Sequence, residues 1–305
     1  MNQAAPGRGP QRGPHARQPR VGSEHGSRVG VASRTTLRPT SGWVSIDLAE
    51  LLRFKDLLIE FAGRDVKLRY KQTLLGVTWV LVQPLLAAGV FTFVFGIVAG
   101  LKPPTGTYFV FSFAGLLAWN IFGSTVGKAS ASLLGNEYIV SRVYFPRLIL
   151  PLSSVASTMV DFLVSCAVMA VLMAISGEWP GAPVLLLPIW ILLLIMLGLG
   201  LGLIAAALSV DYRDVQHILP ILIPFMLYAS PVAYDVAHHL PERYRGAFYL
   251  VNPLASVIEA FRWSLLGSTM PPVMYIAWSG LLAVALFAFG AALFRRTERR
   301  VADVI

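Results

Sequence analysis

Few residues in this 305-residue chain are of a type and spacing that could do chemistry. The nearest approach to a phosphate-binding loop is Gly123-Ser-Thr-Val-Gly127-Lys128-Ala129. Such a loop needs four residues between its glycines and Ser or Thr after the Lys, so nucleotide binding is not expected here. Gly200-Leu-Gly202-Leu-Ile-Ala205 resembles a loose dinucleotide fingerprint, but it lies inside an apolar run. Small residues there are expected to let helices pack closely, and Gly96-x-x-x-Gly100 is read the same way. His238 and His239 are adjacent without Cys or clustered carboxylates nearby, an exposed polar pair rather than a metal site. Asp161 stands alone in the middle of another apolar run. A carboxylate at that depth costs about 2.5–3.5 kcal/mol on insertion scales, so it should face protein or water. Two roles are open to it: proton coupling, or a structural or pore-facing hydrogen-bonding group. The single cysteine, Cys166, is also in an apolar run, which leaves no disulfide framework. Without a nucleophile elbow or paired carboxylates, this chain does not read as a catalyst.

The elements that carry these residues follow from composition. Apolar residues make up 56% of the chain and charged residues 13%, with a mean hydropathy of +0.66. Soluble domains carry about 25% charged residues, so a compact soluble enzyme is excluded. The net charge of +9 sits at the ends of apolar stretches, which does not suit a nucleic-acid binder. The pattern predicts an all-α membrane protein with six spans at about 74–100, 107–128, 148–175, 183–208, 217–234 and 273–294, each judged against a hydrocarbon core of ~30 Å. The fifth is the shortest and is broken by Pro220, Pro224 and Pro231. Six spans place both termini on one side, with 21 Lys and Arg there against four on the other. The positive-inside rule then makes both termini cytoplasmic.

Residues 1–42 are rich in Gly, Pro, Arg, Ser and Gln and read as a disordered basic tail, either simply solvated or in weak contact with anionic lipid. Within 43–72, helical spacing of Val44, Leu48, Leu51, Leu52, Leu58 and Phe61 predicts an amphipathic helix over 44–61 lying on the membrane surface. A basic stretch, 64–71, follows it. The span region is 73–296, and a short tail, 297–305, ends the chain on the cytoplasmic side.

Two connections are more than loops. On the cytoplasmic side, 136–146 predicts a short amphipathic helix. Asn136 caps it, Glu137 suits its N-terminal end, Pro146 stops it, and Tyr138, Arg142, Tyr144 and Phe145 form its surface. On the outer side, 237–271 predicts a helical hairpin dipping back toward the membrane. There Asn252-Pro253 starts a helix on which Glu259 and Arg262 can pair at i,i+3. Aromatic residues are dense in the spans. Trp79, Phe91, Phe95, Trp119, Phe122, Phe225 and Tyr228, with Asp161, are candidates to line a conduit for sugars; the alternative is lipid-facing packing or an interfacial belt.

Several motifs in order resemble the type-2 ABC permeases that export polysaccharide or polyol phosphate. They are Arg64-Asp65-x-Lys67-x-Arg69-Tyr70-Lys71-Gln72-Thr73-x-Leu75-Gly76-x-x-Trp79-x-x-x-Gln83-Pro84, Tyr144-Phe145-Pro146-Arg147, Tyr212-Arg213-Asp214, Ser230-Pro231-Val232-x-Tyr234 and Asn252-Pro253-x-x-x-x-Ile258-Glu259-x-Phe261-Arg262. The resemblance covers about 44–300 and leaves the tail outside it. It implies half of a transmembrane pore in a bacterial inner membrane, paired with a second copy and seated on two separate ATPase subunits. ATP and Mg would be bound by those subunits and no cofactor by this chain. The 136–146 helix, with Arg147, would couple to the ATPase. Arg64, Lys67, Arg69, Tyr70 and Lys71 would form the cytoplasmic mouth, where clustered cations suit a polyprenyl pyrophosphate or are ordinary positive-inside flank. Asn252, Pro253, Glu259 and Arg262 would belong to the outer gate. Candidate cargoes are O-antigen, teichoic acid and a cell-wall galactan. The rival readings are a drug or small-lipid ABC permease, a proton-coupled transporter using Asp161, and an intramembrane glycosyltransferase.

Overall fold

The computed structural model describes residues 53–71, 77–140, 142 and 145–304, and the side chains of all these except 69–71, 77–80 and 299–304. The basic tail and the start of the 44–61 pattern lie outside the described residues. Every regular element among those described is helical, in keeping with an all-α membrane protein.

The first, α1 (Lys55–Lys71), does not stop at Phe61 but runs through the basic stretch. The hydrophobic pattern ends there, yet Arg, Lys and Leu are all strong helix formers and no breaker intervenes. Phe61 is buried against Phe145, Leu148 and Ile149, and Phe54, Leu57 and Leu58 pack on the same cluster. The helix therefore rests on protein along that face as well as presenting Ile59 and Leu68, which are exposed.

Among the described residues, five helical segments are long and apolar enough to cross a membrane: Leu81–Val98, Tyr108–Ala131, Ile149–Ser176, Ala182–Asp211 and Val273–Glu298. They belong to α2 (Val77–Phe91, continued by a π-helical stretch Thr92–Val98), α3 (Tyr108–Ala131), α5 (Ile149–Ser176), α6 (Leu187–Asp211) and α11 (Val273–Val304). Between α3 and α5 lies a short α4 (Glu137–Val140). In α2 the α ladder gives way where Thr92 donates its hydroxyl to the Ala88 carbonyl at 2.7 Å, a back-bond of the kind that perturbs helices. α3 is the central helix, with 83% of its apolar window buried inside the protein.

The fifth predicted span, 217–234, corresponds to α7 (Val215–Ala229), only 15 residues long. At 1.5 Å per residue it reaches about 22 Å, short of a ~30 Å core. Pro220 and Pro224 lie within it and Pro231 just beyond, and each removes a backbone donor. Even so, α7 carries the chain from the end of the bundle near Asp211 and Arg296 to the end where Asn252 meets Ala229. The chain then forms α8 (Val236–His239), α9 (Glu242–Val251) and α10 (Pro253–Leu266), the last buried along almost its whole length.

Glycines set the closest helix contacts. A Cβ on Gly198 or Gly202 would meet Thr125 or Ala129 of α3 at 2.9 or 2.7 Å, and one on Gly200 would meet the Leu286 backbone of α11 at 2.7 Å. Residues 198, 200 and 202 thus wedge α6 between α3 and α11, the packing role expected of small residues in membranes. The 96–100 pair divides instead. Gly96 lies under the Tyr108 ring, whereas Gly100 has φ +68 and turns the chain.

Candidate functional site

At the end of the bundle that holds α4, three separated parts of the chain meet. A 3-10 turn, Leu134–Asn136, leads into α4, so the short helix spans 137–140 rather than 136–146. The Asn136 side chain does not serve as a simple cap. Its Oδ1 accepts from Arg64 NH2 at 2.7 Å, and its Nδ2 donates to the Ser132 carbonyl at 2.9 Å. Arg64 also donates to Asp65 at 3.0 Å and stands over the Phe61 ring, 5.0 Å from its centroid. Phe145 packs on that same ring at 5.7 Å and is buried, so it faces inward instead of forming part of an outer surface. Glu137 and Tyr138 are exposed, and the Arg142 guanidinium lies 4.1 Å from the Tyr138 ring. Arg147 reaches the last long helix: its N–H donates to Glu298 Oε1 at 3.0 Å and its guanidinium to the Glu298 carbonyl at 2.6 Å. Tyr144 lies outside the described residues.

Of the basic stretch, Lys67 is exposed and Arg64 is engaged as above. The side chains of Arg69, Tyr70, Lys71 and Trp79 lie outside the described ones.

In the middle of the bundle, Asp161 is not alone. Lys128 donates to its Oδ2 at 3.1 Å and to Ser157 Oγ at 2.9 Å. The lysine of the false phosphate-binding pattern is thus the partner of the mid-span carboxylate. Trp119 and Phe122 turn into the core, 4% and 1% exposed, and pack on each other at 5.4 Å. Such burial within one chain takes both off any conduit surface. Phe91 stacks on Phe95 at 5.5 Å and on Tyr228 at 6.1 Å, which joins α2 to α7. Phe225 and Tyr228 remain largely exposed beside them.

At the opposite end, Asn252 caps α10 through the Leu254 N–H at 3.1 Å. Its amide holds the end of α7 through the Ala229 carbonyl and Ser230 Oγ, both at 3.1 Å. Pro253 occupies the first turn, where no backbone donor is needed. Glu259 and Arg262 do not form a direct ion pair. Glu259 accepts from the Val236 N–H at 2.8 Å and from the Tyr249 hydroxyl at 2.5 Å. Arg262 is 1% exposed and donates to the carbonyls of Pro231, Val232 and Tyr234, with Phe111 beneath it at 3.8 Å. The two residues tie different segments to α10, one the start of α8 and one the chain reversal at 231–234. Burial pushes the Glu259 carboxyl up from 4.5 to about 7, opposed by Arg262 and the two donors.

Sequence reasoning did not find Lys128, Phe111 or Glu298. Nor did it find Glu178, which accepts from the Thr107 N–H at 3.1 Å, or Ser264, which accepts from Trp190 at 2.7 Å. Each is an ordinary residue type whose partner lies far along the chain.

The described residues form a helical bundle with five helices long and apolar enough to cross a membrane and a short, proline-containing α7 beside them. Residues 57–266 match the ABC-2 type transporter family, and the chain belongs to it. It is 28% identical over 256 residues to the O-antigen export system permease protein RfbA of Myxococcus xanthus, covering 84% of this chain and 98% of that one. An RfbA of Klebsiella pneumoniae is 29% identical over 82% of this chain and 95% of its own. The polysialic acid transport protein KpsM of Escherichia coli is 25% identical over 77% and 91%.

Proposed function

We propose that this chain is the transmembrane subunit of an ATP-driven exporter that moves a lipid-linked polysaccharide across the bacterial inner membrane. The observation that carries the reading is the match along nearly the full length of permeases for O-antigen and polysialic acid. In this reading two copies form the pathway and sit on two ATPase subunits, which bind ATP and Mg. The termini are cytoplasmic, in line with the 21-to-four bias of basic residues. The segment around α4 receives the ATPase, since its exposed Glu137, Tyr138 and Arg142 project from a base pinned by Arg64 on one side and Glu298 on the other. The exposed aromatic strip of Phe225 and Tyr228 suits a sugar path, because sugar C–H faces pack on aromatic rings and the strip carries no charge. Exposed Lys67, with the cations that follow it, suits the pyrophosphate of a polyprenyl carrier.

The test is a pull-down of the tagged chain from native membranes in mild detergent. A stoichiometric ATPase subunit is expected in the eluate, and depletion of the chain is expected to accumulate lipid-linked polymer inside the cell. A chain that elutes without an ATPase, or normal polymer export after depletion, would overturn the reading.

A further inference from the structure

Behind the buried hairpin at the α8–α10 end lies a cavity of about 430 Å³, bounded by Asp235, Arg245, Tyr249, Glu259, Thr269 and Tyr275. This is within the range of small-ligand clefts, roughly 300–1,000 Å³. Its polar groups are built in. The side chain of Asp235 is 5% exposed, held by the Ala237 N–H at 2.7 Å, and Glu259 is 4% exposed and held by two donors. Each carboxylate oxygen has more than one acceptor site, so these bonds leave acceptors available to the cavity. Two hydroxyl-bearing residues complement them. Tyr275 and Thr269 both line the cavity, and neither hydroxyl takes a hydrogen bond from or gives one to a described residue. Tyr275 is stacked on Tyr249 at 4.9 Å, which fixes the ring. A Cβ on Gly246 would meet its hydroxyl oxygen at 2.7 Å, so the residue at 246 leaves that oxygen its place.

The chemistry narrows the ligand. A phosphate or carboxylate would face the acidic side chains of Asp235 and Glu242, and like charges at short range disfavour it. A cation would meet Arg245 on the wall, with Arg262 close behind Glu259. A bare hydrocarbon chain would strand the hydroxyls and carboxylates without partners. What remains is a neutral molecule that donates and accepts many hydrogen bonds and has C–H faces for tyrosine rings. We propose that this cavity is a sugar-binding subsite that takes one neutral hexose residue. The assignment of the hexose to an emerging polymer rests on the exporter reading; the cavity itself does not.

The full chain in nanodiscs of phosphatidylethanolamine and phosphatidylglycerol is to be examined by saturation-transfer NMR. The probes are free galactose, mannose and rhamnose, with glucuronate as the acidic comparison. Saturation is expected on the ring protons of at least one neutral hexose and not on glucuronate. Tyr275→Phe and Thr269→Ala each remove one hydroxyl and are expected to weaken that hexose about three- to tenfold. Thr269 is exposed at the rim, so its variant reports on binding even if Tyr275→Phe lowers the melting temperature. No neutral hexose signal above that of glucuronate overturns the subsite, as does a signal that survives both substitutions and Met270→Trp, which puts a larger side chain on a residue that also lines the cavity. If hexose binding fails while the pull-down still returns an ATPase, the subsite falls and the exporter stands. Hexose binding without an ATPase partner gives the reverse.

Discussion

Lys128 Nζ lies 3.1 Å from Asp161 Oδ2, joining α3 to α5 within the bundle, and the two side chains are 21% and 19% exposed. A mid-span carboxylate is costly alone, and the resident ammonium offsets that cost while fixing the register of two helices. Ser157 accepts from the same ammonium at 2.9 Å, so the contact ties α3 to α5 at two points.

Asp161→Asn is therefore expected to act on stability. Breaking a pair of this intermediate burial should cost about 1–3 kcal/mol, between the surface and fully buried cases. Scanning fluorimetry in detergent would read it as a lower melting temperature. The double variant Lys128→Met with Asp161→Leu should recover most of the loss and keep export. Export abolished in a double variant that melts normally would favour the proton-coupled alternative.

Arg262 holds three backbone carbonyls of the reversal that follows α7. Arg262→Ala leaves those acceptors and Glu259 buried without it, at a cost of roughly 3–5 kcal/mol. Arg262→Lys cannot reproduce a planar fork serving three oxygens and should recover only part. Membrane accumulation near the native level for the alanine variant would count against this anchoring role.

The α4 segment separates surface from support. Tyr138→Ala removes an exposed ring and should reduce polymer export per ATP hydrolysed in the assembled complex, with melting unchanged. Phe145→Ala opens a cavity against Phe61 and should cost about 3–5 kcal/mol of stability. Equal melting temperatures for the two variants would contradict the division.

Helix spacing gives a sharper contrast. Gly200→Ala forces a Cβ into the Leu286 backbone at 2.7 Å, and neither backbone can yield without separating α6 from α11. A drop of at least several degrees in melting temperature is expected. Gly89→Ala meets nothing within 4 Å and should gain about 0.5–1 kcal/mol from helix propensity.

The raised carboxyl of Glu259 makes the α8–α10 end sensitive to pH. Below about 4.5 the closed and opened states both hold the proton. Between about 4.5 and 7 the closed state keeps a proton that an exposed carboxyl loses, so opening becomes easier as pH rises, and above about 7 the effect levels off. The groups around it are Arg262, Tyr249 and Asp235. Amide exchange in α9, corrected for intrinsic rate, should be faster at pH 8 than at pH 5.5, and Glu259→Gln should remove the difference.

The long helices were legible because a bilayer demands runs of about 20 apolar residues, and the glycines at 200 and 202 announced close packing. The Asn252-Pro253 start was equally plain, since cap chemistry is local. What sequence could not supply is pairing across distance. Lys128 and Asp161 are 33 positions apart and Arg64 and Asn136 are 72 apart, and neither pair has a spacing that marks it. Arg262 was paired with Glu259 on helix geometry, but its partners are main-chain carbonyls that no residue type advertises. The end of α1 is not legible in the pattern, because hydrophobic periodicity stops at Phe61 while helix propensity continues to Lys71.

One consequence of α11 concerns leverage. The helix touches the cavity of the α8–α10 end at Tyr275 and the α4 base at Glu298, and it is gripped where Gly290 meets Gly200. At 1.5 Å per residue the two arms from that grip are about 22 and 12 Å long. A rigid rod pivoting there moves its far tip in the opposite sense and roughly twice as far as its near one. A sub-ångström push at the Glu298 end is thereby geared up at the wall of the cavity, in the manner of an oar in its rowlock.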